Sequence, residues 1–264
     1  DGDGIGDNTD PDIDGDGVPN DADLCPSIPD VDLDDDGVAD CMAFDSVEVR
    51  VWGSTVMTTP ASLPGTLTHL DGGDTHLVAL DRDGTVHAWG LDTHGQATVP
   101  SGLVARSVAA GKRHTVAARL DGTVTCWGSN GSGQCTVPMG LSGVVQVAAG
   151  DGFSVALTNT GAVQGWGSMP SAPAGLADVS TIAAGGSQVL ALHADGTVTA
   201  WGVVNTVPPG LADVRSIATD GGQCLAIDAS GAVFTWGSAA SAPSGLSGVT
   251  SIAAGDEHCL AVHG

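Results

Sequence analysis

The feature that most constrains this chain is a recurring Trp-Gly pair. It stands at Trp52, Trp89, Trp127, Trp166, Trp201 and Trp236, at intervals of 37, 38, 39, 35 and 35 residues. A glycine turn, most often Ala-Ala-Gly, recurs in step with it at Gly73, Gly111, Gly150, Gly185 and Gly255, with Asp220 as a variant. The stretches "VARSVAAGKRHTVAARLDGTVTCWG" (104–128) and "VSTIAAGGSQVLALHADGTVTAWG" (179–202) are two copies of one unit. A fixed period of this length means a chain of supersecondary units that bury their cores against one another. Six such units are countable.

Each unit reads as strands. "SIAA" is short and apolar, "VLAL" or "CLAV" is a continuous buried run, and "TVTAWG" alternates. Asp83-Gly84, Asp121-Gly122, Asp195-Gly196 and Ser230-Gly231 are hairpin turns between the second and third runs. No unit carries a helical period. A sheet of three or four strands cannot bury both faces alone, and stacking such sheets radially solves that problem. The expected fold is all-β: a six-bladed β-propeller over residues 46–264. The last unit stops at "CLAVHG", and "SVEVRVWG" (Ser46–Gly53) is a Trp-Gly strand without companions. Together they would make one blade, either within one chain or between neighbouring molecules.

Residues 1–45 differ in kind and are expected to form an irregular, calcium-wrapped segment. They hold 16 Asp and no Lys or Arg, whereas residues 46–264 carry a net −8 of the total −24. So negative a chain repels phosphates, which argues against nucleic acid and anionic membranes as partners. It also lacks an apolar run long enough to span a bilayer, and no export-signal pattern opens it.

Such charge density ordinarily leaves a chain unfolded, but its spacing is that of a cation loop. Asp12, Asp14 and Asp16 alternate, Gly17 permits the sharp turn, Val18 offers a carbonyl, and Asn20 and Asp23 take the ninth and twelfth places. Asp32, Asp34, Asp36 and Asp40 repeat the order, with Ala43 at the twelfth place, so closure falls to another residue, Asp45 being the nearest carboxylate downstream. Asp1, Asp3, Asp7 and Asp10 fit the third, fifth, ninth and twelfth places of a loop whose first place would precede residue 1. That loop is therefore expected either to have been cut or to borrow a ligand. Ca²⁺ suits this all-oxygen set better than Mg²⁺, which keeps more of its waters.

Residues 1–41, above all "DIDGDGVPNDADLCP", resemble thrombospondin type 3 repeats. The resemblance implies Ca²⁺ held by an extended chain with little apolar core, pinned by disulfides. The six cysteines fall in local pairs, which predicts disulfides and an oxidising, extracellular or cell-surface setting. Cys25 and Cys41 flank an acidic repeat, Cys126 and Cys135 bracket "WGSNGSGQ", and Cys224 and Cys259 hold equivalent places in successive units.

Residues 46–264 resemble the repeats of the regulator of chromosome condensation superfamily, with "GQATVP" (95–100) and "GQCTVP" (133–138) carrying the likeness. The resemblance implies a propeller and extends to compact bacterial forms, among them a secreted β-lactamase inhibitor. That inhibitor's binding face depends on aromatic loop residues, whereas this chain has no Tyr and three Phe.

Within the repeats, the Trp residues are expected to pack between blades. His76, His114 and His258 share a place filled elsewhere by Phe153, Gln188 and Gln223, which suits a structural residue better than a metal ligand. Asp83, Asp121 and Asp195 are turn residues, and Asn130-Gly-Ser is a glycosylation sequon. No His-Glu-x-x-His, Gly-x-Ser-x-Gly or phosphate-binding loop is present, and Glu48 and Glu257 are the only glutamates. The expected function is non-catalytic: a calcium-stabilised extracellular structural protein that self-associates through residues 1–45 or strand 46–53. The alternative is a monomeric module that captures a protein by its loops, which are longer after Trp89 and Trp127 than after Trp166 and Trp236.

Overall fold

A computed structural model describes residues 67–169, 172–173, 176–238, 242–243, 246–256 and 258–263. The calls on Asp1 to Asp40, Cys25, Cys41 and strand 46–53 lie outside these residues.

Among the described residues seventeen strands form six antiparallel sheets, each a blade. Blade 1 is β1 (Leu67–Gly72), β2 (His76–Asp81) and β3 (Val86–Gly90). Blade 2 is β4 (Ala105–Ala110), β5 (His114–Arg119) and β6 (Val124–Gly128). Blade 3 is β7 (Val144–Ala149), β8 (Phe153–Thr158) and β9 (Val163–Gly167). Blade 4 is β10 (Val179–Gly185), β11 (Gln188–His193) and β12 (Val198–Gly202). Blade 5 is β13 (Val214–Asp220), β14 (Gln223–Asp228) and β15 (Val233–Gly237), and blade 6 has β16 (Val249–Ala254) and β17 (Cys259–His263). This is the all-β propeller of repeated blades that the sequence led us to expect.

Every first strand carries a register shift at the same place, as at Ala105/Ser107 and Val179/Thr181. A bulge there adds one residue and sharpens the local twist of each first strand. Between second and third strands the chain turns through glycines in the left-handed region, such as Gly122 (φ 81°) and Gly196 (φ 81°). The neighbouring carboxylate closes the turn in two ways. Asp121 and Asp195 each accept from the backbone N–H and hydroxyl of the Thr two residues on. In blades 1 and 5 the acceptor is instead the last strand residue, Asp81 or Asp228. Asp83 therefore sits in its turn but does not cap it.

Packing is sequential. One face of blade 1, with Val78 and Leu80, buries against Ala105, Val108, Ala110, Ala117 and Trp127 of blade 2. The same arrangement sets Val116 and Ala118 on Val144, Val147 and Trp166, and Leu190 and Leu192 on Val214, Ile217 and Cys224. Fully burying such an aliphatic side chain contributes about 1.5–3 kcal/mol, so the blade interfaces form the core. Trp89, Trp127, Trp166 and Trp201 are buried in it and Trp236 is half-buried.

Cys224 and Cys259 are both free thiols, Cys224 buried and Cys259 exposed, which corrects the expected disulfide between them. Equivalent places in stacked sheets point the same way and are offset by about the 10 Å between sheets. A disulfide needs Cα atoms within about 7 Å and Cβ vectors that converge.

Candidate functional site: the loop-bearing face

The Trp-Gly loops and the glycine turns lie at the same ends of the strands, tied by bonds such as Leu91 N–H to Thr75 O (2.8 Å) and Ser129 N–H to Arg113 O (2.8 Å). The turns are glycine for lack of room. A Cβ on Gly73 would collide with the His76 ring and with Gly111 O of the next blade. Gly111 and Gly150 are caught in the same way by His114 and Phe153, and by the carbonyls of Gly150 and Gly186.

The loop after Trp89 is built by its own side chains. Asp92 accepts from Ala97 N–H (2.7 Å) and from the Thr98 hydroxyl (2.6 Å), and Gln96 Oε1 accepts from His94 N–H (2.9 Å). The Thr98 hydroxyl is the main reason the Asp92 carboxyl lies below its ordinary range. After Trp127 the plan repeats: Asn130 Oδ1 accepts from Cys135 N–H (2.9 Å), and Gln134 Oε1 from Ser132 N–H (2.8 Å). Here a disulfide between Cys126 and Cys135 adds a covalent tie across nine residues. The Asn130 side chain therefore closes its own loop.

Each of these loops is anchored to the following blade. Gln96 O accepts from Trp127 Nε1 (2.9 Å) and from the Thr115 hydroxyl (2.8 Å), while Thr115 in turn meets His76 Nε2 at 2.9 Å. One interface along, Gln134 O accepts from Trp166 Nε1 (2.7 Å) and from Ser154 (2.9 Å), which meets His114 Nε2 at 2.9 Å. Because each hydroxyl proton goes to a Gln carbonyl, each imidazole must be the Nε2–H donor. Burial, the main cause, pushes both His76 and His114 down to about 4, so both are neutral at physiological pH. His258 is exposed. The three histidines hold one repeat place but are not brought together. What sequence reasoning missed is the acceptor: a backbone carbonyl leaves no mark in a sequence, although the Gln that carries it stood in "GQATVP" and "GQCTVP".

The first strands line a cavity of about 500 Å³, with Thr68, His69, Arg106, Ser107, Gln146 and Ser180 on its wall. Gln146 bridges blades 3 and 4, donating to Ile182 O and accepting from Ile182 N–H, both at 3.0 Å. Among the described residues no group of three or more His, Cys, Asp or Glu is placed to hold a metal ion.

Comparisons with known proteins agree with this architecture. The regulator of chromosome condensation (RCC1) repeat matches residues 68–96, 105–134 and 144–171, and the thrombospondin type 3 repeat matches residues 1–33. Residues 68–171 are thus similar to RCC1 repeats, and residues 1–33 to a thrombospondin type 3 repeat. Among solved structures, the CRINKLY WD40 ectodomain of the Arabidopsis thaliana receptor kinase ACR4 is 26% identical. That match covers 76% of this chain and 77% of that one, with a TM-score of 0.62. The ectodomain of the Physcomitrella patens receptor kinase CR4 is 25% identical over 77% of this chain and 61% of that one, with a TM-score of 0.64. Yeast RCC1 (Prp20), solved bound to Kap60, is 19% identical over 75% and 68% of the two chains, with a TM-score of 0.61. No curated protein sequence matches the chain.

Proposed function

We propose that this chain is a non-catalytic, calcium-stabilised protein of the extracellular space or cell surface. Its RCC1-type propeller is the protein-interaction module, and self-association gives it a structural role. The observation that carries the reading is the thrombospondin type 3 match over residues 1–33, joined in one chain to the propeller. The donor chemistry fits. Asp12, Asp14, Asp16, Asn20 and Asp23, with the Val18 carbonyl, are all hard oxygen donors, and no Lys or Arg among residues 1–45 competes for the carboxylates. Bound Ca²⁺ would supply the positive charge that lets the acidic segment hold one shape. The Cys126–Cys135 disulfide and the two plant ectodomain relatives support an oxidising, extracellular setting.

The test is limited proteolysis of the full chain in millimolar calcium and after chelation. Calcium is expected to protect residues 1–45. Asp14→Ala and Asp16→Ala should abolish that protection and leave propeller melting unchanged. Equal cleavage of the wild-type segment with and without calcium would overturn the reading.

A second reading, capture of a protein partner by the loop face, is supported by the two loops from Asp92 and Asn130, which their own side chains and the next blade hold rigid. Preorganised loops bind without a large ordering cost.

A further inference from the structure

The blade interface recurs along the chain with one invariant. In blades 1 to 5 the third and fifth residues of the second strand point at the next blade. They are Val78 and Leu80, Val116 and Ala118, Val155 and Leu157, Leu190 and Leu192, and Leu225 and Ile227, all at most 5% exposed. In blade 6, whose second strand begins one residue later in the repeat, the equivalent residues are Leu260 and Val262, which are 56% and 61% exposed. The opposite half of the interface is open at the other end. Its central residue is Val108, Val147, Ile182 or Ile217 in blades 2 to 5, at most 8% exposed, whereas Leu70 of blade 1 is 48% exposed. The outer part of that blade-1 face, Ala79 and Trp89, is buried, so the opening there is confined to the inner strand.

We infer that blade 6 is a docking surface for blade 1 of a second copy, with Leu260 and Val262 of one molecule covering Leu70 of the next. This rests on the self-association reading above and names its contact surface. The occupant follows from continuity with the interfaces inside the chain: each sets an aliphatic pair against an aliphatic first strand, and the unmatched halves of that same contact lie in blades 1 and 6. Such a contact is heterologous, presenting different patches on the two partners. It therefore propagates from copy to copy, ending in a ring if the rotation closes and a filament if it does not. Two aliphatic side chains more than half exposed on one strand are the apolar patch such an interface buries.

Sedimentation velocity of the full chain over a range of concentrations, in calcium and after chelation, tests the assignment. The wild type is expected to form concentration-dependent larger species. Leu260→Asp and Leu70→Asp should each weaken association by roughly 100-fold. Both positions are exposed in the single chain, so melting should not change. Head-to-tail contact makes a sharper claim. Leu70→Asp keeps a sound blade 6 and Leu260→Asp a sound blade 1, so an equimolar mixture should give dimers and nothing larger. If the wild type associates and both variants do so equally, self-association stands and this surface is wrong. If the wild type is monomeric at every concentration, both ideas fall, because the faces then close within one chain.

Discussion

Blades 2 and 3 and blades 4 and 5 fill the same repeat places with different chemistry. In the early pair, an imidazole from the preceding blade reaches across to a hydroxyl, the hydroxyl bonds a loop carbonyl, and a Trp indole bonds that carbonyl again. In blade 4 the equivalent residue is Gln188, and its amide turns back to its own blade, bonding Val204 N–H (2.7 Å) and Val204 O (2.8 Å). The hydroxyl place is Val189 in blade 4 and Cys224 in blade 5, and the indoles of Trp201 and Trp236 find no partner among the described residues. The short loop of blade 4 is thus held from within its blade and each long loop from the next one, while Gln223 of blade 5 reaches across to Gly255 O (3.1 Å) and Asp256 O (2.5 Å) of blade 6. A polar interface fixes a long loop where an apolar one cannot, and its donors and acceptors must all be present.

The largest test of that contrast is Trp166→Ala against Trp236→Ala. Trp166 is buried and its indole is bonded, so its removal leaves a cavity and orphans one bond, costing roughly 3–5 kcal/mol. Trp236 is half-buried and unbonded and should cost clearly less. Denaturant midpoints of the two variants decide it, and equal losses would erase the distinction between the blade pairs.

Acid should find the polar interfaces next. His76 and His114 titrate at about 4 in the folded chain against an ordinary 6.5, chiefly because they are buried. The unfolded chain therefore binds these protons first as pH falls. Their contribution is intact above about pH 6.5 and is lost progressively from there down to about 4, by roughly 1–2 kcal/mol per ring at pH 5. Asp71 and Asp220, raised by burial, act in the opposite direction. A melting temperature that drops between pH 7 and 5 is expected. The pair His76→Gln and His114→Gln, which installs the side chain used in blades 4 and 5, should flatten the drop. A profile as steep in the double variant as in the wild type would move the acid sensitivity elsewhere.

How much of this was legible in the sequence depends on the kind of fact. Period, Trp-Gly and Asp-Gly fixed the blades and their hairpins, because those signals are local and repeat in register. The structural reading of His76 and His114 was also legible, since a place that accepts Phe153 does not serve ligand chemistry. Direction was not. Sequence equivalence could not tell that Cys224 and Cys259 point in parallel and not at each other, or that Gln188 would fold back where His114 reaches across. Nor could it assign the turn cap to Asp81 in place of Asp83, because both carboxylates lie within reach of the same N–H groups. Ligand geometry in residues 1–45 rests on spacing alone.

The smallest effect tests whether the later blades carry avoidable strain. The residue before the first strand is left-handed in blades 3 and 6, where it is Gly143 (φ 67°) and Gly248 (φ 64°). Blades 4 and 5 place Asp178 (φ 54°) and Asp213 (φ 53°) in the same conformation. An L-residue there pays a steric cost that Asp bears better than most, while glycine pays a larger entropy on folding. The backbone carbonyls of Asp178 and Asp213 each accept a bond at 2.9 Å, from Ala194 and Ala229, and any residue would keep it. Asp178→Gly and Asp213→Gly should therefore each stabilise by roughly 0.5 kcal/mol. Set in separate blades, they should add in a double variant. Chemical denaturation resolves a sum of that size. A net loss would mean that these carboxylates hold the blade junction, and that the later blades replace the missing polar relay with a tie of their own.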